Sequence, residues 1–72
     1  MNLINIQYVL LDSFSGAYDK RTTQRDMDTY NKMKKGVGSR FREFTNDISW
    51  DWQVISVSQC DENNNPIETT EI

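Results

Sequence analysis

The chain has no histidine and one cysteine, Cys60, in 72 residues. Without histidine the usual ligands of a structural zinc site are missing, and a nucleophilic cysteine has no imidazole to activate it. A single thiol cannot close a disulfide within the chain, and it fits a reducing cytoplasm. One proline, Pro66, and three glycines, Gly16, Gly36 and Gly38, are the only strong breakers. No apolar run approaches the ~20 residues that cross a bilayer, the longest being Tyr8 to Leu11. The opening Met1-Asn2-Leu3-Ile4-Asn5-Ile6 has no basic cluster, so no secretory signal is expected. Basic residues are absent from both ends. All eight lie between Lys20 and Arg42, opposed there only by Asp26 and Asp28, while residues 43–72 carry seven acids and no base.

What is present fits one small domain spanning residues 1–72. Two Trp, three Phe and three Tyr supply large apolar groups in a chain that is 36% hydrophobic. So short a core leaves only about 3–5 kcal/mol of net stability, which makes a homodimer a natural remedy.

Ile4, Ile6, Tyr8 and Leu10 share one face of a strand over residues 3–11, with Leu3, Val9 and Leu11 on the other. Asp12 to Gly16 reads as a turn, and a short polar strand over Ala17 to Thr22 completes a hairpin. From Met27 to Ile48, the residues Met27, Tyr30, Val37, Phe41, Phe44 and Ile48 recur at helical spacing, broken only by Lys34. This predicts one long helix, kinked at Gly36–Gly38, with a break there as the alternative. Thr23 to Asp26 has capping-box spacing, and Thr45-Asn46-Asp47 closes the helix. Trp50, Trp52 and Val54 then alternate before the apolar phase moves to Ile55 and Val57, as a bulge or a strand buried on both faces requires. Asp61 to Pro66 is a turn, and residues 67–72 return as an edge strand or an acidic tail. The expected fold is α+β, a small antiparallel ββαββ-like sheet packed against one long helix.

Two constellations are candidates for function. Lys32, Lys34, Lys35, Arg40 and Arg42 surround the Gly36–Ser39 segment, with Lys20, Arg21 and Arg25 upstream. Together they suggest an anion- or nucleic-acid-binding site, against the plain alternative of a solvated helix face. Trp50 and Trp52 fall on one strand face and are candidates for partner binding, since tryptophan concentrates at interface hot spots. The alternative is that both pack as core, and if only one is buried, the other is the interface candidate. Asp61, Glu62, Glu68 and Glu71 follow no cation-loop spacing. No metal, cofactor or catalytic residue is expected.

Short, acidic overall, rich in asparagine and without a linker or targeting segment, the chain resembles the small accessory proteins encoded by bacteriophages. Some of those inhibit host enzymes or defence systems. The resemblance lies in general character, not in a motif, and implies a non-catalytic protein that binds and modulates a protein partner. The alternative is a small nucleic-acid-binding protein using residues 20–42.

Overall fold

Alternating apolar residues on β1 (Ile4–Asp12) make it the strand from which the sheet is built. The computed structural model describes residues 2–72. Antiparallel to β1 runs β2 (Tyr18–Arg25), joined through a turn in which Gly16 takes φ +76°. A short helix, α1 (Met27–Lys35), leads to β3 (Arg40–Thr45), the 13-residue β4 (Ile48–Cys60) and β5 (Pro66–Glu71). The order across the sheet is β2-β1-β4-β3, all antiparallel. Along one edge of β4, β3 pairs with its first half and β5 with its last.

The fold is therefore a curled antiparallel half-barrel, 59% strand and 13% helix, and not a sheet packed against one long helix. The long helix fails at Gly36–Ser39. Gly36 caps α1 with its N–H on the carbonyls of Lys32 and Met33, and Gly38 takes φ +97°, which a helix does not allow. The Gly38 N–H then donates to the Val54 carbonyl and the Val54 N–H to the Ser39 carbonyl, delivering the chain to the edge of β4. The heptad rhythm from Met27 to Ile48 was coincidental. Of its apolar members only Tyr30 is buried and Val37 half-buried, while Met27, Phe41, Phe44 and Ile48 are exposed. The true buried face of α1 is Tyr30 with Met33, which the stripe skipped in favour of Lys34. Likewise the N-cap is Asp26, whose side chain accepts from the Thr29 N–H at 2.9 Å, and Thr23 belongs to β2.

Asn46 and Asp47 do not end a helix. Both take positive φ, 50° and 65°, as a two-residue type I′ hairpin turn requires. The phase change in β4 is a bulge. Leu10 pairs with Val54 and Val9 with Ser56, leaving Ile55 as the extra residue. Residues 66–71 form an edge strand, and the Asp61 carboxylate holds the preceding turn by accepting from the N–H groups of Asn63 and Asn65.

Register assigns the two faces. Ile4, Ile6, Tyr8, Leu10, Arg21, Glu43, Trp50, Trp52, Val54 and Val57 share one face. At one end of it, Tyr30 and Met33 of α1 pack on Ile4, Ile6, Tyr8, Val54 and Val57. The other end has no helix over it.

Candidate partner-binding site

At the uncovered end the same face is filled by polar and aromatic side chains. Trp52 is buried, 4% exposed, and its indole N–H donates to Glu43 Oε1 at 3.0 Å. Trp50 stacks on it with ring centroids 5.0 Å apart and planes 9° from parallel, and is half-buried. Alternation two residues apart on β4 puts both rings on one face, and the β3 partners supply Glu43 beside them. The Arg21 guanidinium sits 5.7 Å from the Trp52 ring centroid. It donates to both oxygens of Glu43, at 2.6 and 3.1 Å, and through Nε to Asp19 at 2.8 Å.

This bridge shapes the molecule. Arg21 is on β2 and Glu43 on β3, the first and fourth strands, which stand at least ~14 Å apart in a flat sheet. Contact across two intervening strands requires the sheet to curl toward this face. Leu10, wholly buried on the same face, helps to fill that concavity. The Arg21 bonds, then the Trp52 N–H, hold the Glu43 carboxyl below its usual range, and the Arg21 guanidinium is correspondingly raised.

A cleft of about 330 Å³ opens here, lined by Ala17, Tyr18, Asp19, Arg21, Glu43, Thr45, Trp50 and Trp52. The turns that bound this end, Ser13–Ala17 and Asn46–Asp47, bring further apolar side chains to the surface. Phe14 is 70% exposed, Tyr18 69% and Ile48 51%, while the exposed Phe44 has the opposite register, with Arg40 and Arg42. Beneath the first turn lies Asp12, 2% exposed, whose carboxylate accepts from the Ser15 hydroxyl and N–H and from the Asp51 N–H at 2.7–2.9 Å. The Ser15 hydroxyl, then the Asp51 N–H, lower its pKa.

Lys32, Lys34 and Lys35 lie on α1, which covers the concave face, whereas Arg40 and Arg42 are on β3 with register toward the opposite face. Lys34 is occupied, its ammonium 3.4 Å from Glu68 and 4.9 Å from the Tyr30 ring centroid. The five basic residues that adjoin in sequence are thus divided between two faces. Trp50 and Trp52 are brought together, and one of them is buried. Sequence reasoning missed Glu43 and Tyr18 and counted Arg21 with the basic segment, because only strand pairing reveals that Arg21 and Glu43, 22 positions apart, meet. Cys60 is buried, and burial pushes its thiol pKa up. Among the described residues no cluster of three or more His, Cys, Asp or Glu side chains could hold a metal ion, and no helix is long and apolar enough to cross a membrane.

Comparison with protein-family models, with curated proteins and with solved structures finds no match.

Proposed function

We propose that this chain is a small non-catalytic interaction protein that docks a protein partner on the aromatic end of its half-barrel. The observation that carries the reading is the contrast within the tryptophan pair. Trp52 completes the core, while Trp50 leaves part of a rigid aromatic surface in solvent beside a cleft and the exposed Phe14, Tyr18 and Ile48. A broad aromatic anchor with a polar rim is what energetically dominant interface residues look like. An accessory protein or inhibitor of a host protein, as the bacteriophage-like character suggests, would act by such docking alone. The nucleic-acid alternative is the less supported, because the basic side chains do not converge on one surface.

The test compares capture of partner from a bacterial lysate by the immobilised protein, by Trp50→Ala and by the triple variant Lys34→Glu/Lys35→Glu/Arg40→Glu. Loss of a captured protein with Trp50→Ala, and its retention by the triple variant, is the expected result. The reverse pattern, with nucleic acid bound in low salt, would move the functional surface to the basic segment.

A further inference from the structure

The cleft beside Trp50 has a chemistry that narrows what the docked partner presents. Two carboxylates, Asp19 and Glu43, face one guanidinium, Arg21, so the lining carries one surplus negative charge. That surplus disfavours an anion. Glu43 is largely engaged, because Oε1 accepts from Arg21 and Trp52, and Oε2 accepts from Arg21. Asp19 is not. Arg21 Nε uses its Oδ2, Oδ1 accepts from no described residue, and the side chain is 42% exposed. Trp52 already has an indole stacked on it and a guanidinium over its ring, whereas Trp50 is half-buried, lines the cleft and has no cation of the described residues over its ring.

We propose that this cleft takes a guanidinium, an arginine side chain of the docked partner, laid against the Trp50 indole where it lines the cleft and turned toward the Asp19 carboxylate. The molecule holds its own precedent in Arg21, which lies over Trp52 and is fixed by the same two carboxylates. A guanidinium suits the place better than an ammonium. It is flat, weakly hydrated and stacks on an indole while its edge still donates to a carboxylate. Tyr18 and the Thr45 side chain line the same cleft. The inference deepens the reading above and rests on it, since the arginine belongs to whatever protein docks at this end.

Three probes separate the chemistry: N-acetyl-arginine amide, its neutral isostere N-acetyl-citrulline amide, and N-acetyl-lysine amide. Each is titrated into the isotope-labelled protein while the indole N–H signals of Trp50 and Trp52 are followed by NMR. The arginine probe should shift the Trp50 signal saturably, and the citrulline probe should bind about tenfold more weakly or not at all, because it has the shape without the charge. Lysine should fall between them. Asp19→Asn should weaken arginine binding about two- to five-fold, the size of one exposed charge pair. Trp50→Ala should abolish the response at Trp52. Equal binding of citrulline, a response that survives Trp50→Ala, or no saturable shift at all would overturn the proposal. Should Trp50→Ala fail to fold, the arginine–citrulline comparison and Asp19→Asn still decide it. A partner whose capture depends on Trp50 while the arginine probe fails would refute the guanidinium and leave the docking surface standing.

Discussion

Asp12 shows at the level of one residue why this sequence folds as it does. A carboxylate at the end of β1 would be expensive to bury, but three donors converge on it, two from Ser15 and one from the Asp51 backbone. It thereby ties the β1–β2 turn to β4. Its native pKa lies below the ordinary carboxylate value, so the ionised form favours the fold. That contribution is complete above the unfolded value near pH 4 and is lost as pH falls through the lowered native value. Thermal melts between pH 5 and pH 2 should therefore show wild type losing stability with acid more steeply than Asp12→Asn. Equal slopes would contradict the assignment. The two tryptophans make the complementary prediction. Trp52→Ala should cost about 3–5 kcal/mol, comparable to the whole stability of so small a domain, and Trp50→Ala distinctly less, as read by urea unfolding. Their placement on one face was legible in the sequence from Trp-x-Trp alternation. Which of them is buried was not, because that depends on Glu43 and Arg21 arriving from other strands.

Among the elements, β1 was legible from its alternation and the first part of β2 from the turn before it, whereas Thr23 to Arg25 read as a helix cap. The turn at Asp61–Pro66 and the bulge in β4 were also visible, the latter as a shift of apolar phase at Ile55. The second half of the supposed helix was not. Phe41 and Phe44 stand three apart by accident of β3 carrying one on each face, and a spacing of three fits a helix as readily. Two glycines with different backbones decide the point. Gly36 sits at φ −85°, which any residue adopts, whereas Gly38 at φ +97° does not suit a side chain. Gly38→Ala should destabilise by about 1–2 kcal/mol, from backbone strain rather than crowding, since the added carbon would meet only Ile72 at 3.5 Å. Gly36→Ala should be close to neutral. A similar cost at both positions in denaturant titrations would argue against this helix end. At the other turn, Asp47→Gly should raise stability by up to about 1 kcal/mol, because glycine relieves the positive φ that Asp47 now holds.

For the molecule as a whole, one end of a curled sheet is closed by a short helix, and the other, left open, is held by an ion pair and two stacked indoles. At the closed end, Tyr30 donates to Glu68 at 2.6 Å, and burial together with that partner pushes its pKa up to about 12. At the open end Arg21 and Glu43 join the outer strands, so a double-mutant cycle on this pair should show favourable coupling, and additive effects would mean that the bridge does not hold the curl. Charge segregation, so conspicuous in the sequence, dissolves in three dimensions as lysines of α1 and arginines of β3 face opposite ways. The most direct test of the central claim is a photocrosslinking scan, with a benzophenone side chain placed in turn at Phe14, Tyr18 and Ile48 at the open end and at Leu3 and Ile67 elsewhere. In a bacterial lysate the first three positions should crosslink one common protein, lost when Trp50→Ala is added, and the last two should not. Crosslinks of equal yield at both groups, or capture only through Leu3 and Ile67, would contradict the account.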